Sequence, residues 1–218
     1  MHISHVRYYG SIIPPIPCEA FALPAYKLIL LPTDPDTGID NCEQLVHPLQ
    51  AIGFIGEPLS CREGVFYPVG EHFLQLVSFL GCSPMVELEP PVRNAELDAA
   101  VADGRFCHVM LTCKSTLQFR ADPQTRPPRC PECGQAVSDW ARHLQDWRDN
   151  PAETGWTCTA CKQTAPLTRW VFRRTAGFGK VFVEIRGIHP SEAVPVESLL
   201  QTLRTVTGNP WHYMYIKE

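Results

Sequence analysis

Two short stretches, RCPECGQAV and WTCTACKQT, each carry a Cys-x-x-Cys pair, and they limit what this chain can fold into more than any other feature. Cys130 and Cys133 are followed, after 24 intervening residues, by Cys158 and Cys161. A two-residue gap lets a tight turn aim both sulfurs at one point, so two such turns can enclose one ion in four sulfurs. Pro131 stiffens the first turn, and Gly134 supplies the positive φ that closes it. The intervening loop is longer than the about 15 to 20 residues usual for such sites. SDWARHLQDWRDN accounts for the excess, because Trp140, Leu144 and Trp147 fall at i, i+4 and i+7 of a short amphipathic helix with Ser138 as its cap.

CPECG followed by CTAC resembles the zinc-ribbon class, over residues 129–164 only. The resemblance implies one structural zinc per chain, held by Cys130, Cys133, Cys158 and Cys161. Four sulfur ligands close the coordination sphere and leave no position for water or substrate, so such a site braces a module and does not catalyse. Other readings of the same thiols are a rubredoxin-like iron centre, against which CTACK in place of CPxCG counts, a redox-active set of dithiols, and unpaired core cysteines. The segment around the pairs is poor in aliphatic residues, so ion binding is expected to supply folding free energy in place of a core.

The remaining cysteines, Cys18, Cys42, Cys61, Cys82, Cys107 and Cys113, show no framework spacing and read as reduced thiols. On one strand Cys107 and Cys113 would stand about 20 Å apart, beyond disulfide reach. Hydrophobic residues make up 44% and charged ones 19%, which excludes a disordered or fibrous chain. No apolar run approaches the roughly 20 residues of a membrane span, and MHISHVRYYGS does not read as a secretory signal. The expectation is a cytoplasmic protein with no membrane association.

Apolar periodicity gives the outline of a fold. HVRYY and YKLILL read as strands, and NCEQLVHPLQAIG as a helix with Pro48 at its start or at a kink. EHFLQLVSFLG reads as a helix with Phe73, Leu74, Val77 and Leu80 on one face. MVELE, NAELDAAVADG with Asn94 as cap, and RFCHVMLT make one β-α-β unit. KVFVEIRG, SEAVPVESLLQTLRTVTG and WHYMYIK make a second, with TAGFGK as a hairpin turn ahead of it. Two such units side by side are the plan of a ferredoxin-like sandwich. The fold expected is therefore α+β, with residues 1–113 and 177–218 as the body and 114–176 as an inserted zinc ribbon.

Charge is unevenly spread along this chain of net −4: residues 114–180 hold eleven Lys/Arg against six Asp/Glu, while residues 1–113 hold five against thirteen. A ribbon that offers Trp140, Trp147, Trp156 and Trp170 among Arg126, Arg129, Arg142, Arg148, Arg169, Arg173 and Arg174 suits a macromolecular partner, because Trp and Arg dominate binding hot spots. A protein partner is preferred to nucleic acid, since a pI near 6.1 argues against strong non-specific binding to a polyanion. The competing reading packs these tryptophans inside. Arg186, His189 and Ser191, with Glu192, stand between a strand and a helix N-terminus, where an anion could bind. No catalytic residue is assigned. Cys61 with His72, beside Glu71, is a weak nucleophile pair, and His108 and His212 read as strand histidines in ordinary packing. The function expected is a non-enzymatic adaptor or regulator. The alternative is a small-molecule enzyme with its pocket on the α+β body near His72, His189 or His212, and the ribbon as a brace.

Overall fold

The computed structural model describes residues 26–80, 86–91, 94–151, 155–189 and 193–217, with Asn94 and Ala95 as backbone only. HVRYY, Cys18, Cys82 and Ser191 lie outside the described residues. In chain order the elements are β1 (Tyr26–Pro32), α1 (Glu43–Ala51), β2 (Leu59–Cys61), β3 (Gly64–Pro68), α2 (Phe73–Leu76), β4 (Val77–Phe79) and α3 (Asn94–Ala102). They continue with β5 (His108–Ala121), α4 (Trp140–Asp149), β6 (Gly155–Thr157), β7 (Thr164–Pro166), β8 (Ala176–Ile188), β9 (Ala193–Pro195), α5 (Glu197–Thr207) and β10 (Trp211–Lys217). The chain is α+β.

Six strands form one sheet in the order β10-β1-β8-β5-β3-β2, with every neighbouring pair antiparallel. The reason YKLILL is almost continuously apolar is that β1 is buried on both sides. Leu28 and Leu30 join Val181, Val183 and Ile185 under the helices, where Leu45 and Leu49 of α1 and Leu199 and Leu203 of α5 complete the main core. Ile29 and Leu31 meet Phe182, Met214 and Ile216 on the opposite face. Since β8 lies antiparallel between β1 and β5, those two strands are parallel and α1 lies on the connection between them. Likewise β8 and β10 are parallel, with β1 between them and α5 on their connection.

Several expected elements differ from this. MVELE contributes no strand among its described residues: both sides of β5 are taken by β3 and β8, and the segment is held by Cys107 N–H donating to Glu87 O at 2.6 Å and by Val86 and Leu88 packing on the main core. The first β-α-β unit is therefore β1, α1 and β5. EHFLQLVSFLG is helical only over Phe73–Leu76, because Val77–Phe79 turns into strand β4 to pair with β9. Pairing between distant segments overrides the helical period there, and Leu74 and Leu80 end up exposed. The same pairing makes Ala193–Pro195 a strand, so the last helix starts at Glu197, after Pro195. TAGFGK is not a turn; Ala176 onward already belongs to β8, and the turn lies at Phe172–Thr175, closed by Thr175 N–H donating to Phe172 O at 3.2 Å. At α4 the cap position is held by Asp139, not Ser138, with no side-chain cap bond.

Beyond Cys113 the β5–β8 pair bends back over the sheet face opposite α1 and α5, the face on which α3 packs against Phe66 and Met110. Residues 114–117 stand opposite Lys180 alone, a long bulge after which pairing resumes from Gln118↔Gly179 to Ala121↔Ala176. A bulge of this kind bends and twists the strands that carry it. The arm beyond it crosses the sheet: Arg120 stacks over the Phe182 ring at 5.4 Å, and a Cβ on Gly177 would lie 3.1 Å from Leu31 Cδ1. Only a glycine fits that approach comfortably. The arm then reaches the far edge strand, where Tyr215 N–H donates to Arg174 O at 3.0 Å and Lys217 N–H donates to Asp122 Oδ2 at 2.7 Å. The segment with the cysteine pairs leaves the arm at Asp122 and returns at Thr175, a junction closed by Asp122 N–H donating to Thr175 O at 2.9 Å.

The thiols of Cys42 and Cys113, read as free, are joined in a disulfide that ties the start of α1 to β5 across 71 positions. Spacing could not reveal it, because fold topology alone brings these positions together. Cys61 and Cys107 remain free, Cys107 fully buried, and burial pushes the Cys107 thiol far above its ordinary pKa.

Candidate metal centre

Both Cys-x-x-Cys pairs fold into the same knuckle. In the first, Gly134 N–H donates to Cys130 O at 3.0 Å and Cys130 N–H to Gln135 O at 2.8 Å; in the second, Lys162 N–H donates to Cys158 O at 3.0 Å and Cys158 N–H to Gln163 O at 2.9 Å. The residue after each second cysteine has positive φ, 71° at Gly134 and 63° at Lys162. CTACK is therefore a knuckle like CPECG, with a lysine accepting the left-handed conformation that glycine takes more cheaply. The Lys162 ammonium donates to Thr159 O at 2.7 Å, inside its own turn.

The four sulfurs lie within 4.8 Å of one another, with Cys130 to Cys161 at 3.8 Å and Cys133 to Cys158 at 3.7 Å. A tetrahedron with metal–sulfur bonds of about 2.3 Å has edges of about 3.8 Å, so these separations suit one tetrahedrally coordinated ion. Backbone N–H groups, first that of Cys161 and then that of Ala160, draw the Cys158 thiol down to about 7. Cys161 is pushed up to about 12: the Gln163 N–H favours its thiolate, but burial and the crowd of neighbouring sulfurs outweigh it. One thiolate is thus prepared while a second is opposed by the first, a conflict that a dication removes.

The module is not coreless, contrary to the expectation from its few aliphatics. Val137, Leu144, Trp147, Trp156, Leu167, Trp170 and Phe172 form a buried cluster with Cys130 and Cys158, continued by Phe178 of the arm. Trp156 and Trp170 meet edge to face at 5.6 Å, and Trp147 packs on Phe178 at 5.1 Å. Trp140 is half-buried against Phe172. The aromatic rings that would have made a contact surface thus build the interior, while all seven arginines of the module are exposed. Arg169, past the end of β7, pairs with Glu132 of the first knuckle at 3.3 Å. Arg173 and Arg174 occupy consecutive left-handed positions with φ of 51° and 65°, and Arg174 lies 4.4 Å over the Tyr213 ring.

The other singled-out residues are dispersed. Cys61 packs beside the Phe66 cluster, His72 sits against Gly53 with Glu71 at 3.9 Å, and no contact joins Cys61 to His72 among the described residues. His108 is fully buried; its Nδ1 pairs with Phe106 O at 3.0 Å, and burial draws its pKa down. His212 is exposed beside Arg173 and Arg174. His189 is half-buried past the end of β8. Arg186 turns away from it to Glu63, at 2.7 Å, and Glu184, at 3.0 Å. Glu184 is only 4% exposed, and Lys27 and Arg120 each approach it at 3.8 Å. Sequence reasoning passed over Glu184 and Arg120. A signal was present, because a Glu and an Arg two apart in VFVEIRG share one face of an otherwise apolar strand.

Compared with protein-family models, curated proteins and solved structures, the chain matches none.

Proposed function

We propose that this chain is a non-enzymatic adaptor or regulatory protein in which a zinc-clamped ribbon presents an arginine surface to another protein. One observation carries this reading: in the module around the knuckles the tryptophans are turned in and every arginine is turned out. Such a surface fits an acidic patch on a protein, through charge-assisted and bidentate contacts. The ion is a single structural zinc per chain, since a closed four-thiolate site offers no position for a reacting group. The strand order, with two split β-α-β connections, supports a ferredoxin-like plan for the body, with the ribbon inserted in the β5–β8 hairpin. Residence in the cytoplasm accords with four thiols kept reduced for metal. The Cys42–Cys113 bond pulls the other way, and thiol trapping in intact cells decides between them.

The test pairs metal analysis with capture. Purified protein is expected to carry one zinc per chain and no iron, and Cys130→Ser with Cys158→Ser to carry none. Charge reversal at Arg173 and Arg174 is expected to keep the zinc and abolish capture of the protein partner that mass spectrometry identifies with the wild type. Unchanged capture by both variants refutes the ribbon surface, and capture only of nucleic acid moves the reading to that partner class. Among the described residues no helix is long and apolar enough to cross a membrane.

A small-molecule role for the body is the second reading, favoured by a pocket of about 820 Å³. The pocket is lined by Arg186 and not by His72, His189 or His212.

A further inference from the structure

The folded-back arm and the sheet face beneath it enclose this open pocket of about 820 Å³. Its floor comes from β1 and β8, through Lys27, Ile29, Glu184 and Arg186, with Met110 of β5 beside them; Phe119 and Arg120 reach in from the arm. The volume falls in the range of roughly 300 to 1,000 Å³ typical of small-molecule sites.

The charge on its walls runs against the rest of the molecule. Among the described residues six cations line it, Lys27, Lys114, Arg120, Arg148, Arg186 and Lys217, against two carboxylates, Glu63 and Glu184. Six against two leaves four positive charges in excess, in a chain whose net charge is −4. Glu184 fixes the floor: its buried carboxylate has Arg186, Arg120 and Lys27 around it. Arg120 approaches Glu184 at 3.8 Å, an ion-pair distance too long for a hydrogen bond, and its guanidinium makes no hydrogen bond among the described residues. Lys114, Arg148 and Lys217 line the pocket with no carboxylate within 4.0 Å among the described residues. Half-buried Arg120 and Lys217 and exposed Lys114 and Arg148 gather like charge around one opening, and a multiply charged anion relieves their repulsion.

We propose that the pocket binds a small phosphorylated ligand of about mononucleotide size. An excess of four cations over carboxylates among the described lining residues suits a phosphate or diphosphate group, which brings about two to three negative charges and oxygens matched to guanidinium forks, better than it suits one carboxylate. Ile29, Met110 and Phe119 offer apolar surface to the rest of the ligand, and Glu63 can accept from its hydroxyl or amino groups. This proposal does not depend on the ribbon having a protein partner.

The experiment titrates the full-length, zinc-loaded protein calorimetrically with pyrophosphate, ADP, citrate and an eight-nucleotide single strand, at low and physiological salt. Pyrophosphate and ADP are expected to bind with micromolar Kd, more weakly as salt rises. Arg120→Gln should weaken ADP binding at least tenfold. Lys114→Glu and Lys217→Glu, at exposed and half-buried rim positions, should each weaken it several-fold with an unchanged melting temperature, which keeps the test independent of any folding defect in Arg120→Gln. Absence of binding by pyrophosphate and ADP at millimolar concentration overturns the proposal, and so does wild-type affinity in all three variants. Tighter binding of citrate than of ADP overturns the ligand class, and tighter binding of the single strand than of ADP overturns the enclosed site in favour of a nucleic-acid groove.

Discussion

At Lys162 a single side chain sets how tightly the second knuckle closes. Its φ of 63° places a lysine where Gly134 stands in the first knuckle, and a non-glycine residue gives up about 1 to 2 kcal/mol in that conformation. Glycine loses more chain entropy on folding, which returns part of the difference. Lys162→Gly should therefore strengthen zinc retention by about 1 kcal/mol, or roughly fivefold in the competing chelator concentration needed to strip the ion. Gly134→Ala should weaken it by a similar amount. Chelator titrations followed by released zinc measure both, and a weaker site in Lys162→Gly would show that the Lys162 to Thr159 contact outweighs the backbone term. The cysteine pattern announced this site because a knuckle is local: its ligands, turn and closing residue fall within six consecutive positions. The charge cluster of the body was harder to see, since Glu63 lies in the β2–β3 turn, Arg120 on β5 and the buried Glu184 on β8.

The element most dependent on a distant tether is α1, which has Pro48 in its interior and therefore lacks one backbone hydrogen bond of its ladder. The Cys42–Cys113 bond pins the residue just before it to β5 and closes a loop of 71 positions. In the chain-entropy account a loop of this length is worth about 4 kcal/mol. Cys42→Ser with Cys113→Ser should lower the unfolding free energy by about that amount, read from the urea midpoint with the zinc content unchanged. Substitution is preferable to a reducing agent, which would also compete for the metal. An unchanged midpoint would mean that the two sulfurs are reduced in solution. Elements with one dominant period were legible: NCEQLVHPLQAIG, SDWARHLQDWRDN and WHYMYIK fold as their patterns indicate. The misread ones, β4 and β9, are three-residue strands whose only justification is each other. Such strands are too short to show a period, and the strong helical pattern around Phe73 masked the first of them.

For the molecule as a whole, two apolar clusters meet along one arm. Phe119 and Phe178 belong to the ribbon's core, while their strands belong to the sheet. Because Asp122 and Thr175 already lie opposite each other at the junction, residues 123–174 can be replaced by Asn-Gly to give a two-residue hairpin. The shortened chain should bind no zinc and still unfold cooperatively, since the main core under α1 and α5 is untouched. Uncovering Phe119 and Phe178 should lower its melting temperature by several degrees. A chain that fails to fold after this excision would make the ribbon and body one cooperative unit, whatever their separate clusters suggest. The ladder at the β10 edge of the sheet sets a timetable of its own. Tyr26 lies opposite Lys217, so the almost continuously apolar β1 is synthesised well before β10, its second neighbour. At roughly 5 to 20 residues per second, translation leaves YKLILL without that neighbour for about ten to forty seconds. The nascent polypeptide therefore spends that interval with an adhesive strand in want of a chaperone.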